Sequence, residues 1–594
     1  MLKQNLDFNE NYTLKDPDHD EIKDGYQLRW VGKNYAKLQE NLKPETVIVP
    51  DSEHNLLSEN IDSQNLFLTG DNLEVLKHLE YAYTGKIDMI YIDPPYNTGS
   101  DGFVYNDDFR FTDEQLRDTL GLTEEEVKRI KNIYGKASHS AWLTFMYPRL
   151  KIAKKLLKDS GVIFVSIDDN EQANLKLLMD EVLNEGNYIN KIVWKKNSSG
   201  KTVTEKYPVN IDYLYLYSKT NNYKLNSIFK PLSESTKKMY SKDDNDGRGK
   251  YRLYPLQKTG GPGPETTYDY VDNNGKIWSC PLKGWRINKN KLKDLENDNR
   301  LVLDGNSLNE KAYWNEREND GQIADTLWDD LAENNVGTAE VDKLLGKGVF
   351  TNPKPTELIQ RCIQTVPEKN ITIFDFFSGS GSTAHAVMKL NKEGTGTRKY
   401  IMCTLDEKVK EGSEAEKAGY KTIDEIGRER IKRAAKQIGD TSGFRHFRFI
   451  KPKLTTLDKI EKFDPTIPLL LPEDMVAPFS EQDLTGKGDK SGTPTILTTW
   501  LIDDGYDFSI NVEPLDLSGY TAYYAKSIAR LYLIEKSGWS AESCKALLNK
   551  LGKNEIAVNA VVIYPYSFNF VDLTELKNNI KAILDGKPEV LERY

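Results

Sequence analysis

The chain has 594 residues, of which 38% are hydrophobic and 29% charged, with a formal net charge of −10. That length exceeds a single hydrophobic core and points to about three or four domains; the composition excludes overall disorder, and no apolar run approaches the roughly 20 residues of a membrane-spanning helix. Cys280, Cys362, Cys403, Cys544 and the six histidines fall at no metal-ligand spacing, so metal-free chemistry in a reducing, cytoplasmic setting is expected, and Met1 to Asn5 opens without the apolar stretch of a secretory signal.

Residues 1–60 are polar, with Trp30 and Tyr35 among charges, and read as a helical arm. Ile87 to Ile92 reads as a buried parallel strand, and Asp93-Pro94-Pro95-Tyr96 sits at its carboxyl end, where ligands bind in open α/β sheets. The prolines remove two N–H donors and leave carbonyls free. A carboxylate, a carbonyl and an aromatic face at one strand tip suit an exocyclic amine on a flat heterocycle. Ser140 to Leu157 and Gln172 to Leu183 carry apolar residues at helical spacing and read as core helices.

A polar loop, Lys195 to Lys201, follows a strand ending in Trp194. Between Asn221 and Lys293 there are 15 basic residues against 7 acidic; between Asp294 and Asp342 there are 3 against 14. A basic block can supply phosphate contacts while the whole chain stays acidic; a solvated surface accounts for it equally well. Thr259 to Pro264 is a cluster of breakers, and Lys219 to Val349 reads as an insert.

Ile371 to Phe377 is a second buried strand, followed by the turn Ser378-Gly379-Ser380-Gly381-Ser382-Thr383 and a helix opening at Ala384. Strand, glycine turn and helix form a nucleotide cradle, although the third glycine of the dinucleotide fingerprint is missing. Lys399 to Leu405 reads as the next strand. Either acid after it, Asp406 or Glu407, suits ribose hydroxyls, and position favours Glu407. Beyond Asp440 the pattern changes: Thr495 to Trp500, Tyr520 to Tyr523 and Ala557 to Tyr564 read as strands, and Ser540 to Leu551 as a helix.

Asp93-Pro94-Pro95-Tyr96 matches the D-P-P-Y motif of S-adenosylmethionine-dependent amino-methyltransferases, and Phe376 to Gly381 resembles their F-x-G-x-G motif. With the catalytic motif first, the order resembles the β group of DNA adenine methyltransferases. Leu68 to Leu73 resembles the G-D element before the catalytic strand, and Asn352 to Thr356 the K-P element before the cofactor strand, here without its usual His and Gln. Gly161 to Glu171 resembles the modification subunit of type III restriction–modification systems.

The resemblance implies an α/β fold: a Rossmann-like methyltransferase sheet with an inserted target-recognition domain and a C-terminal α/β domain. Its expected parts are an arm (1–60), a catalytic half (61–218), the insert (219–349), a cofactor half (350–440) and a C-terminal domain for dimer or partner contacts (441–594). It implies methyl transfer to adenine N6 in double-stranded DNA by base flipping, with Asp93, Pro94, Pro95 and Tyr96 catalytic. S-adenosyl-L-methionine is expected against Asp71, Lys354, Asp375, Phe376, Gly379, Gly381, Thr383 and Glu407. Lys195, Lys196, Lys250, Arg252, Lys258, Lys283 and Arg286 are candidate DNA contacts. A homodimer and a helicase–nuclease restriction subunit are the expected partners. The alternatives are an orphan regulatory adenine methyltransferase and a specificity subunit with an idle pocket.

Overall fold

Ile87–Ile92 is buried at every position except Asp88, the pattern of a strand covered on both faces. In the computed structural model it lies inside a ten-stranded sheet. The structure describes residues 28–98, 138–198, 207–230, 232–304, 307–317, 321–394, 396–462, 474–583 and 588–593, together with 124, 127 and 128.

The strands of this sheet are β1 (Val47–Pro50), β2 (Leu66–Thr69), β3 (Ile87–Ile92), β4 (Leu157–Ile167), β5 (Tyr188–Lys195), β6 (Ile211–Ser218), β7 (Leu327–Trp328), β8 (Thr372–Asp375), β9 (Lys399–Thr404) and β10 (Arg445–Ile450). Their order is β1-β10-β2-β9-β8-β3-β4-β6-β5-β7. The run from β10 to β4 is parallel, whereas β6 is antiparallel to both β4 and β5. The key contact is β8 beside β3, with Ile373 opposite Met89 and Phe374 opposite Ile90. Asp88, the one acid in β3, fixes this pairing: its carboxylate accepts from the Thr372 amide at 2.8 Å, across 284 positions of sequence, and from Lys158 Nζ at 2.6 Å.

Helices cover both faces. On one side α1 (Asn72–Tyr83), α2 (His139–Leu156) and α3 (Gln172–Leu183) pack Leu76, Trp142 and Leu175 against Ile90 and Phe374. On the other, α4 (Thr356–Gln364), α5 (Ser382–Lys392) and α6 (Ile423–Ile438) pack Leu358, Val387 and Ile431 against Met89 and Ile373. Two adjacent strands thus alternate their side chains between two cores, as the period of two requires.

Among the described residues of the expected arm, helix is found at Lys33–Asn41 and in the short Ser52–Asn55. Val47–Pro50 instead adds an antiparallel edge strand against β10; residues 1–27 lie outside the described ones. Thr495 to Trp500, expected as a strand, belongs to the helix Thr493–Asp503. Its threonines favour strands, but Pro494 suits a first helical turn, and Ile496, Leu497, Trp500 and Leu501 all enter one core. This helix packs on the ten-stranded sheet at its edge strand β1, where Thr499 Oγ1 accepts from the Ile48 amide at 2.9 Å.

The C-terminal sheet runs Glu513–Leu517, Tyr520–Ala525, Arg530–Leu533, Ala560–Ile563, Glu589–Glu592. The helices Ala541–Gly552 and Phe570–Ile583 accompany it. Ser227–Asp325 is a separate compact unit; residues 219–226 and 326–349 belong with the larger one. Its three-stranded antiparallel sheet, Leu301–Asp304, Ser307–Tyr313, Tyr251–Pro255, accompanies a small core of Leu256, Tyr270, Trp285, Leu292 and Leu308.

No helix among the described residues is long and apolar enough to cross a membrane. Trp500 is 1% exposed, so Trp500→Ala is expected to cost about 3–5 kcal/mol. Urea unfolding followed by circular dichroism should show an earlier first transition, and an unchanged profile would remove this helix from the core.

Candidate active site

β3 ends at Ile92, and the next four residues form a short loop held from three sides. Tyr96 Oη donates to Asp93 Oδ1 at 2.7 Å. Lys354 Nζ donates to Asp93 Oδ1 and Oδ2 at 2.7 and 2.8 Å and to Tyr96 Oη at 2.8 Å. Trp142 Nε1, from α2, donates to the Pro95 carbonyl at 2.7 Å. Burial beside Asp93 holds the Tyr96 hydroxyl well above the usual phenol range, so Tyr96 stays neutral and its proton serves Asp93.

Asn97, just past the tetrapeptide, has φ +58°, the left-handed region that Asn tolerates better than most residues. Glu171 anchors it: this fully buried carboxylate accepts from Asn97 Nδ2 at 2.6 Å and Asn174 Nδ2 at 2.7 Å, and pairs with His139 Nδ1 at 2.7 Å. The stretch Gly161 to Glu171 therefore bears directly on the loop that carries Asp93 to Tyr96.

The tip of β8 lies alongside. Asp375 Oδ1 accepts from the Phe377 amide at 3.0 Å, and Oδ2 from Thr383 Oγ1 at 2.6 Å, which draws the glycine turn tight against the start of α5. Gly379 and Gly381 have φ of +46° and +78°, conformations that disfavour a side chain. A Cβ on Gly381 would meet Ile431 Cγ1 at 3.2 Å, and one on Gly379 would meet the Phe350 ring at 3.2 Å. Gly427 lets α6 approach closely, since a Cβ there would lie 2.8 Å from the Gly379 carbonyl. The buried Arg430 donates through Nη1 to Ser380 and Ser382, each at 2.7 Å.

Asp71 caps α1 by accepting from the Leu73 and Glu74 amides at 2.9 and 3.2 Å, and Arg149 Nη2 reaches it at 3.2 Å. Asn72 Nδ2 donates to the Phe376 carbonyl at 2.9 Å. Asp406 and Glu407 follow the tip of β9 and are exposed.

Among the basic candidates, Lys196 Nζ pairs with the buried Asp212 at 2.7 Å; Lys195 is half-buried and residues 199–206 lie outside the described ones. Within the insert, Lys250 is exposed. Lys258 Nζ donates to Thr266 Oγ1 at 2.9 Å and Lys283 Nζ to the Thr259 carbonyl at 3.2 Å. Arg252 lies 3.8 Å and Arg286 5.3 Å from the centre of the Tyr254 ring, and Arg286 also pairs with Glu310.

Residues 87–417 match the model of the DNA methylase family, and residues 491–589 that of the type III restriction–modification EcoP15I C-terminal domain. Over 98% of its length the chain is 42% identical to the type III restriction-modification enzyme StyLTI Mod subunit of Salmonella typhimurium, covering 92% of that protein. The chain belongs to the type III Mod subunit family of DNA methylases. It is also 36% identical to the EcoPI Mod subunit of Escherichia phage P1 and 34% identical to the EcoP15I Mod subunit of Escherichia coli, in each case over 95% of this chain and 90% of the relative.

This Mod-family site holds groups that single motifs did not reveal: Trp142, Arg430, and Glu171's grip on Asn97. Asp212 had a signal, being the one charged residue in β6, whose other residues are apolar or aromatic apart from Ser218. Burial pushes the Asp375 carboxyl up to about 7, and Asp93 nearby adds to the effect. A raised folded value makes burial cheapest when the group is protonated, so this contribution is present at low pH and is lost as pH rises through about 7. Asp375→Asn should flatten that decline in a thermal melt series from about pH 5 to 8.5; a wild-type slope in the variant would place the titration elsewhere.

Proposed function

We propose that this chain transfers a methyl group to adenine N6 within a specific site in duplex DNA, as the modification and specificity subunit of a restriction–modification enzyme. The observation that carries this reading is the pairing of β3 with β8, which sets Asp93 to Tyr96 beside the glycine turn. The donor in this reading is S-adenosyl-L-methionine, which supplies an electrophilic methyl group on a sulfonium. The turn suits it, since a tight glycine turn leading into a helix N-terminus is a common nucleotide-binding geometry: Gly379 and Gly381 hold positive φ and pack closely on Phe350 and Ile431. Asp375, Phe376, Gly379, Gly381 and Thr383 would hold its methionine and ribose region, with Glu407 accepting from the ribose hydroxyls.

Asp93 and the Pro94 carbonyl accept the two hydrogens of the target amine, which favours a tetrahedral nitrogen with its lone pair free for attack. The Pro95 carbonyl is already occupied by Trp142. Asp93 then receives the proton that the amine loses. Orientation and fixed charge account for most of the acceleration. Tyr96 stacks on the target base, which must leave the duplex at a cost of a few kcal/mol; stacking returns about 1–3 kcal/mol.

In the insert, Arg252 and Arg286 about Tyr254, with Lys250, Lys258 and Lys283, supply phosphate or base contacts, and Lys195 contributes from the larger unit. In this reading the C-terminal domain carries dimer and restriction-subunit contacts, and the enzyme is cytoplasmic.

Tritiated-methyl transfer to unmethylated genomic DNA tests the chemistry. Asp93→Ala should lower kcat by at least about 10²-fold; wild-type transfer would remove Asp93 from the reaction. Gly381→Val should weaken cofactor affinity by at least about tenfold in calorimetry, since its φ and its neighbours both oppose a branched side chain. Sequencing of modified bases should find N6-methyladenine at one motif, and N4-methylcytosine in its place would overturn the assigned base.

A further inference from the structure

The resemblance directs Lys354 toward the cofactor, yet its ammonium lies on the catalytic loop. Lys354 is 8% exposed, and its three short contacts all go to Asp93 and Tyr96. An ammonium has three donors, and Lys354 has one oxygen for each.

The acceptor count at Asp93 is specific. Oδ1 accepts from both Tyr96 Oη and Lys354 Nζ, which fills its two lone pairs. Oδ2 accepts from Lys354 alone among the described residues, which leaves one lone pair open. The terminal torsion of an aspartate is broad and soft, so an unheld carboxylate would present either oxygen in many directions. Two donated bonds from one ammonium and a third from Tyr96 remove that freedom.

A second carboxylate acts on the ammonium through charge. Asp212 is buried, pairs with Lys196 at 2.7 Å and attracts the Lys354 charge, while it and Asp93 repel each other. The other ionisable groups facing Asp93 are Asp375 on β8, which opposes its charge, and Tyr91 on β3.

We infer that Lys354 is a positioning residue for methyl transfer: its ammonium locks the Asp93 carboxylate so that the single open lone pair, on Oδ2, meets the target amine. This rests on the reading of Asp93 as the amine acceptor. It separates Lys354 from cofactor binding and makes Asp212 its buried support.

The test uses the full chain, tritiated cofactor and unmethylated genomic DNA, with kcat and KM measured for each variant and cofactor affinity by calorimetry. Lys354→Gln should lower kcat by about 10²-fold while cofactor affinity stays within about threefold of wild type, and Lys354→Arg should recover at least about a tenth of the wild-type rate. Should Lys354→Gln fail to fold, Asp212→Asn is read instead, with a smaller loss of kcat and unchanged cofactor affinity expected. An unchanged kcat, a loss carried by weaker cofactor affinity, or equal losses in the Gln and Arg variants would overturn the inference. Asp93→Ala in parallel separates the two failures: an active Asp93→Ala breaks the reading of the site itself, whereas an inactive Asp93→Ala beside an active Lys354→Gln breaks only the role of Lys354.

Discussion

The site depends on the pairing of β3 with β8. The Asp93 to Tyr96 loop and the Gly379 turn lie far apart in the chain, and local sequence preference cannot join them. What joins them is Met89 and Ile90 lying beside Ile373 and Phe374, with the Asp88 carboxylate replacing a ladder bond at the foot of the pair. Because parallel strands place their carboxyl ends together, one correct pairing delivers Asp93 and Asp375 to the same edge of the sheet. A slip of β8 by one residue against β3 would send Phe374 to the opposite face while Ile90 kept its place, and both cores would lose their fit. Hydrophobic burial therefore fixes the spacing of Asp93 and Asp375 indirectly, through register.

Around that junction the polar groups are arranged to restrict motion. Asp93 is held by Lys354 and Tyr96, Asn97 by Glu171, the Pro95 carbonyl by Trp142, and the serines beside Gly381 by Arg430. Most of these partners come from other elements of the fold. A loop carrying two prolines and a left-handed Asn is already short of conformations, and these bonds select among those that remain. Preorganisation of this kind suits a reaction in which the protein must aim a weak nucleophile.

The motifs were legible because they are local. Ile87–Ile92 is the strand that its apolar run predicts, and the glycine turn follows β8 and opens α5 as its spacing implies. What sequence could not supply was long-range pairing. Nothing near Lys354 in the chain says that its ammonium meets Asp93 across 261 positions, and Val47–Pro50 becomes a strand only because β10 offers it an edge. Thr493–Asp503 failed for another reason: threonine-rich composition favours strands when isolated, but a core on one side and a proline in the first turn reverse the outcome.

The chain leaves the larger unit after Asn226 and returns to it at Thr326, where the Thr326 carbonyl accepts from the Val193 amide at 2.8 Å and β7 resumes pairing with β5. The return is fixed in the parent sheet and the departure by Asn226, whose amide donates to the Thr365 carbonyl at 2.8 Å, and the excursion has a small core of its own. A segment built this way can change in length or loop sequence without touching the register of β3 on β8, because the strands that carry that pairing lie outside it.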